Sequence, residues 1–390
     1  MRRAKTSQGL NVVSLFAGIG GFERAFQQVG AKTSLMCEID PVAKYVLANR
    51  LKGTEIVDDV RDVDILPKGV DVLCAGFPCQ DISSVGVKVG LDGERSSLVR
   101  EVFRILEVQR TEWVIFENVS FMLKLKKGDV IRTIVEELER LGYNWAYRTI
   151  DSMSFVPQHR CRVFVVASLH HDPRGVILSG ESKCQYGKVD FDRQVAPIGF
   201  YWTEGKFALG LMGDAIPTLK AGSTIGIPSP PAILFPTGEV SMPDIRDAER
   251  LQGFPADWTL PAEDMARSSI RWRLVGNAVT VNVVSWLAQK ILNQQPYDSS
   301  KDIPLDENTH VWPKAAWGVS GVRRQSDVSV FPASFRRSTL ERFLKYPRRP
   351  LSIKASKGFF GRLQSGSLRC PQYFRDEIKD YIEEKENGNV

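Results

Sequence analysis

The chain contains no uncharged apolar run of about 18 or more residues, so no membrane span is expected. Its first residues, MRRAKTSQGLNVV, hold two arginines and a lysine but no apolar stretch before Asn11. That argues against a signal peptide and for a cytoplasmic location. The six cysteines (Cys37, Cys74, Cys79, Cys161, Cys184 and Cys370) form no CxxC pair and no Cys/His cluster. Neither a disulfide framework nor a metal site is expected, and most of these thiols should be buried and inert. Internal repeats and low-complexity tracts are also missing. What is present is ordinary for a globular protein: 390 residues, 43% apolar and 25% charged, enough for two or three domains and too apolar for global disorder.

Charge is unevenly distributed. Between Arg323 and Arg375 there are thirteen Lys/Arg against only Asp327 and Glu341, a surplus of +11 in a chain whose net charge is +6. A polyanionic partner such as nucleic acid would account for this, because binding releases phosphate counterions. A solvated basic surface accounts for it equally well.

Residues 11–17 (NVVSLFA) read as a buried strand followed by Gly18-Ile19-Gly20-Gly21, and then by Phe22, Ala25, Phe26 and Val29 at helical spacing, with Gly30 closing the segment. Strand, glycine turn and helix open a doubly wound α/β sheet. Further apolar runs at 33–37, 55–57, 70–75, 113–116 and 163–167 alternate with helical patterns such as 96–108 and 129–141, which predicts a parallel-type sheet up to residue 168. Residues 169–245 are rich in Gly and Pro and read as a loop-rich region of short strands. Helical patterns return near Asp244, from Val279 to Leu292, and from Tyr373 to Lys385. The division expected is a catalytic domain from 11–168 plus 265–295, a smaller domain over 169–264 and a basic extension over 300–390.

Several strand ends carry chemistry. A glycine turn at a helix N-terminus lets a ligand approach the backbone closely. Glu38, twenty residues beyond Gly18, sits where a carboxylate accepts ribose hydroxyls, and Asp59 sits where it could accept an adenine amino group. The missing later glycine leans towards a cofactor with one nucleoside. The plainer reading makes both residues strand-end surface acids. In the run Val72 to Gln80, Pro78 fixes a turn and Cys79 falls just past the strand, in the crevice of an open sheet. Cys74, inside the strand, reads as packing. A lone cysteine is more often structural than nucleophilic. Glu117 ends the run Trp113–Phe116. Gln158, Arg160 and Arg162 alternate by two and share one strand face, suited to a phosphate, a base edge or an internal ion-pair network.

Taken together, FAGIGG (16–21), GFPCQ (76–80), ENV (117–119), QHRCR (158–162), RLQGFP (250–255) and GNAV (276–279) resemble, in order, the motifs of the bacterial and phage DNA (cytosine-5)-methyltransferases over about residues 11–295. The resemblance implies an α/β, Rossmann-like S-adenosylmethionine-dependent methyltransferase sheet with a smaller loop-rich target-recognition domain. It implies S-adenosylmethionine as cofactor, double-stranded DNA as partner and a monomer, acting in a restriction-modification system or as an orphan methylase.

By the same resemblance Cys79 attacks cytosine C6, Glu117 hydrogen-bonds or protonates N3, Arg162 holds O2, and Arg160 supports Glu117 or the backbone. The cofactor falls to Phe16, Ala17, Gly18, Ile19, Gly20, Gly21, Glu38, Ile39, Asp59, Val60 and Pro78, with Asn277, Ala278 and Val279 from the later motif. Gln80, Ser83, Gln158, Thr218 and Leu219 are expected at the DNA. The target base must leave the stack for any of this to occur, and the Gly- and Ser-containing segment 83–97 suits a closing loop. An RNA cytosine methyltransferase, a silent DNA-binding homologue and a nicotinamide dehydrogenase are the rival readings.

Overall fold

In a computed structural model the described residues are 9–78, 98–182, 186–190, 195–204, 208–222, 230–306, 309–333, 337–367 and 370–388. They fall into two units. The first takes in the chain up to Asp151, then Cys161–Ser182 and Val281–Ala333; the second takes in Ser152–Arg160, Lys183–Thr280 and Ser334–Val390.

The first unit begins with β1 (Asn11–Leu15), α1 (Gly21–Gln27), β2 (Lys32–Cys37), α2 (Pro41–Arg50), β3 (Glu55–Val57) and β4 (Val72–Ala75). It continues with α3 (Leu98–Val108), β5 (Trp113–Val119), α4 (Asp129–Arg140), β6 (Asn144–Asp151) and β7 (Cys161–Ser168). Local chemistry sets the helix ends: Asp40 caps α2 by accepting from Val42 N and Ala43 N, and Pro41 occupies the first helical position. α3 buries Val99, Val102, Phe103, Ile105 and Leu106, and α4 buries Val130, Ile131, Ile134, Val135 and Leu138. Those spacings form one apolar stripe per helix, turned onto the sheet. Complete burial of such a side chain contributes about 1.5–3 kcal/mol.

Strands β3, β2, β1, β4 and β5 lie side by side in that order, all parallel. The expected parallel sheet stops there. β7 runs antiparallel to β5, and β6 antiparallel to β7. The connection between β6 and β7, Ser152–Arg160, is too short for the crossover that a parallel pair needs. One consequence bears on function: Val119 pairs with Arg162, so the start of β7 lies at the carboxyl end of β5.

Residues 300–390 are not an appended extension. Strands Ile303–Pro304, Ala315–Val319 and Val322–Gln325 continue the first sheet beyond β6, with Ala315 opposite Arg148 and Gly318 opposite Trp145. Arg148 has no exposed surface and donates to the carbonyls of Ile177, Gly180 and Ser329; burial lowers its pKa to about 10. The helix Val281–Leu292 packs on α1, where Ser285 Oγ donates to Gln28 Oε1 at 2.6 Å.

The second unit holds an antiparallel sheet in the order Arg349–Pro350, Val240–Met242, Ala232–Leu234, Ile198–Phe200, Met212–Gly213. Short strands were expected here, but the core draws on the chain's last residues. Phe359 and Phe374, from helices Ile353–Ser365 and Gln372–Asn387, meet Phe200 at centroid distances of 5.0 and 5.2 Å. Within this unit helix Ile245–Leu251 is capped by Asp244, and helix Ile270–Asn277 also belongs to it rather than to the first unit as expected.

Much of the basic surplus is engaged internally. Arg323 pairs with Glu139 and Arg324 donates to Asp302 O in the first unit. In the second, Arg337 pairs with Asp214, Arg348 with Glu239, and Arg362 donates to Trp202 O and Glu204 O. Charge counting overstated what is left for an outside polyanion. Among the described residues no helix is long and apolar enough to cross a membrane.

Candidate active site

The carboxyl edge of the parallel strands gathers the chemistry of the first unit. After β1 the chain turns through Phe16 (φ 59), Gly18 (φ 58) and Gly20 (φ 89). Left-handed backbone at a phenylalanine costs about 1–2 kcal/mol and marks a turn held by its surroundings. At Gly20 a Cβ would in addition press on Leu51 Cδ1 at 2.9 Å. A Cβ on Gly18 would meet nothing within 4 Å, so this face of the turn lies beside open space.

Glu38, just beyond β2, braces the turn. Its Oε2 accepts from Gly18 N at 2.7 Å and its Oε1 from Asp40 N at 2.8 Å. Burial raises its pKa, while the amides of Asp40 and Gly18 pull the other way. Ile39 follows with 68% of its surface exposed, a large apolar side chain beside a half-buried carboxylate. Open space over the glycine turn, an anchored acceptor and an exposed apolar flank fit a nucleoside-type cofactor. Ala17 and Ile19 are buried beneath, with Ala17 N donating to Cys37 O; Gly21 starts α1.

Asp59 caps its own turn and is gripped by Arg61, whose Nε and Nη2 lie 2.9 and 2.5 Å away; that pairing lowers its pKa. Val60 is 3% exposed and belongs to the first unit's hydrophobic core.

At β4 and β5 a second cluster forms. Glu117 Oε1 lies 3.1 Å from Arg162 Nε across the paired β5 and β7, with side chains 13% and 16% exposed. A Cβ on Gly76 would lie 3.6 Å from Glu117 Oε2, which places that carboxylate against the turn leaving β4. Asn118, 3% exposed, donates from Nδ2 to Phe77 O at 3.0 Å and accepts from Val119 N. Phe77 in turn packs edge-on against Phe116. Asn118 was not singled out from the sequence; a polar amide directly after Glu117 at a strand end was the available signal. Pro78 is exposed at the end of this turn. Cys79, Gln80 and Ser83 lie outside the described residues, as does the segment 83–97. Cys74 is buried, its thiol pKa pushed well above the ordinary value by burial, which fits packing.

The remaining expected residues lie in the second unit, most of them buried. Arg160, 2% exposed, donates to the carbonyls of Leu219, Gly276 and Ala278. Its observed role is to hold backbone, and Arg162 is the guanidinium beside Glu117. Gln158 has no exposed surface; it donates to Leu251 O and accepts from Leu219 N. Thr218 Oγ1 donates to His159 O at 2.7 Å, and Leu219 is 3% exposed. Gln158 and Leu219 are thus packed and bonded within this unit. Asn277 is exposed at the end of its helix, whereas Ala278 and Val279 are buried.

The model of the C-5 cytosine-specific DNA methylases matches residues 10–188 and 244–293. The Type II methyltransferase M2.BsuMI of Bacillus subtilis is 41% identical, over 96% of this chain and 97% of that one. The Type II methyltransferase M.MspI of Moraxella sp is 27% identical over 78% and 77%. Among solved structures, Dnmt2 methyltransferase of S. pombe aligns with TM-score 0.52 at 17% identity, covering 73% of this chain and 98% of that one. A DNMT2 mutant of Spodoptera frugiperda aligns with TM-score 0.53 at 15% identity, over 73% and 99%. The fold is that of the α/β S-adenosylmethionine-dependent methyltransferases. The chain belongs to the C-5 cytosine-specific DNA methylase family and is a DNA (cytosine-5)-methyltransferase.

Proposed function

We propose that the protein methylates C5 of a cytosine flipped out of duplex DNA, through a covalent adduct between Cys79 and C6, as the modification partner of a type II restriction system. One observation carries this reading: the Glu117–Arg162 pair stands against the Gly76–Pro78 turn that leads into Cys79. S-adenosylmethionine, when bound, supplies an electrophilic methyl group on a sulfonium.

The protein's own residues do the rest. C5 of cytosine is a weak nucleophile, and addition of the Cys79 thiolate to C6 turns the ring into an enamine-like species nucleophilic at C5. Glu117 donates to N3 as negative charge builds in the ring, and Arg162 holds both O2 and the Glu117 carboxyl. After C5 accepts the methyl group, its proton leaves to water and the C6–sulfur bond breaks, restoring aromaticity. C6 is inaccessible inside a stacked duplex, hence the extrusion of the base. Glu38 and the Gly18–Gly20 turn seat the ribose and methionine portions of the cofactor, with Ile39 against the adenine. Residues 183–280 supply target recognition.

The test is methyl transfer from labelled S-adenosylmethionine to plasmid DNA, followed by nucleoside analysis and bisulfite sequencing. The expected product is 5-methylcytosine within one short sequence context. Label in tRNA alone, or in N4-methylcytosine, overturns the reading.

A further inference from the structure

The segment that follows the Glu117 strand is left unused by that mechanism. β5 ends at Val119, opposite Arg162, and the chain continues into a short helical turn at Ser120–Leu123, which packs on β7. Its inner side is fixed. Met122 and Leu123 are buried in the core, and the Leu123 carbonyl accepts from Trp312 N at 3.0 Å. Gly128 closes the segment so tightly on the same indole that a Cβ there would lie 2.7 Å from Trp312 Cδ1. The outer side carries Lys124, Lys126 and Lys127, all exposed.

Two features set these lysines apart. Lys126 and Lys127 hold left-handed backbone, φ 49 and 58, ahead of Gly128 at φ 84. Two successive residues with a Cβ keep that conformation only where their surroundings impose it, and such positions gather at functional sites. Glycine or asparagine suits that backbone better, so backbone preference does not account for lysine at either position. The second feature is charge. Among the described residues none of the three lysines pairs with an acid: Asp129, which follows them, lies 3.7 Å from Arg132, and the Lys124 ammonium lies 5.2 Å from the centre of the exposed Phe121 ring. Arg323, Arg337 and Arg348, by contrast, are each held by a carboxylate.

Ammonium groups without a carboxylate partner, mounted on one anchored turn, make a fixed positive surface that suits a row of phosphates. Its distance from the chemistry is bounded by the chain. Between Glu117 and Lys124 the backbone spans at most about 20 Å, since part of it is wound. Successive phosphates of one strand are spaced about 3.4 Å along the duplex axis. Lys124 therefore stands within about six nucleotides of the base that Glu117 addresses, and Lys126 and Lys127 adjoin it.

We propose that Lys124, Lys126 and Lys127 grip backbone phosphates of duplex DNA beside the target cytosine and hold the duplex over the active-site edge while the base is extruded. Such contacts fix position and carry no sequence information. The inference rests on the reading that Glu117 and Arg162 receive a cytosine from duplex DNA.

The experiment measures binding of the full chain to a duplex that contains its target and to an unrelated duplex, between about 50 and 200 mM salt. Wild type is set beside the triple variant Lys124→Gln, Lys126→Gln, Lys127→Gln. Each phosphate contact adds about 0.9 to the slope of log affinity against log salt, so the variant should lose about 2 to 3 from that slope. It should weaken on both duplexes by the same factor, and arginine at the three positions should restore the slope. A variant slope within about 0.5 of wild type overturns the proposal, and so does a loss confined to the target duplex. Acetylation of wild-type lysines with and without the target duplex, read by mass spectrometry, keeps the test independent of how the variant folds. The duplex should protect Lys124, Lys126 and Lys127; equal labelling in its presence overturns the proposal. Wild-type protein that binds no duplex even at the lowest salt overturns the duplex reading instead, and this inference with it.

Discussion

Asn118 Nδ2 donates to the carbonyl of Phe77 at 3.0 Å, tying the end of β5 to the turn that leads from β4 into Cys79. A buried amide that holds a main-chain carbonyl sets where the following residues go. Removing it leaves that carbonyl without its donor, at a cost of about 1–3 kcal/mol. Asn118→Ala should therefore melt a few degrees lower and lose kcat by more than tenfold with a smaller change in KM for cofactor. Thermal melting beside steady-state kinetics checks this; unchanged kcat in a folded Asn118→Ala would show that the turn is held by other contacts.

The Glu117–Arg162 pair should behave as one unit. Glu117→Gln removes the proton or hydrogen bond offered to N3 and should lower kcat by about 10²- to 10⁴-fold. Arg162→Ala leaves the carboxylate without its guanidinium and should fall comparably, with DNA affinity changing less. The double variant should be little worse than the weaker single one, since contacting residues are not additive. Strict multiplicativity of the two losses would show independent roles.

Glu23, buried in the first turn of α1, predicts a pH dependence of stability. Its folded pKa, about 7, lies above the ordinary 4.5. The folded state therefore binds the proton more tightly, and the stabilisation is complete below pH 4.5, then declines as pH rises to about 7. At 1.36 kcal/mol per unit the loss is on the order of 3 kcal/mol. Glu23→Gln should melt near wild type at pH 5 and above it at pH 8. A variant less stable at both pH values contradicts this.

Truncation after residue 300 should abolish folding rather than merely weaken DNA binding. It strips the strands paired beyond β6, removes the Ser329 carbonyl that Arg148 uses, and takes Phe359 and Phe374 from the second unit's core. Circular dichroism and gel filtration of the shortened chain decide the matter; a cooperative melt like that of the full chain would be the contrary result.

The first half of the sheet was readable because its information is local. Apolar runs, the glycines at 18 and 20, and acids at 38 and 117 announce strands and what stands at their ends. β6 was not read as a strand, since NWAYRTID carries Arg148 in its middle. That charge is tolerated only because carbonyls from Ile177, Gly180 and Ser329 converge on it. The alternation of Gln158, Arg160 and Arg162 was visible, yet their uses were not. Arg162 meets Glu117, whereas Gln158 and Arg160 bond to backbone from residues 219–278. The internal pairing of the basic run after Arg323 was unreadable for the same reason: its partners, Glu139, Asp214 and Glu239, are distant in sequence.

The central claim is the bond between Cys79 and C6. DNA carrying 5-fluorocytosine at the target position tests it directly, because after methylation C5 holds no proton to lose and the C6–sulfur bond cannot break by elimination. Incubation with S-adenosylmethionine, followed by denaturation, proteolysis and mass spectrometry, should find one methylated fluorocytosine attached to the peptide that contains Cys79. Methylated DNA released without a covalent complex, or an adduct on another cysteine, would contradict the account.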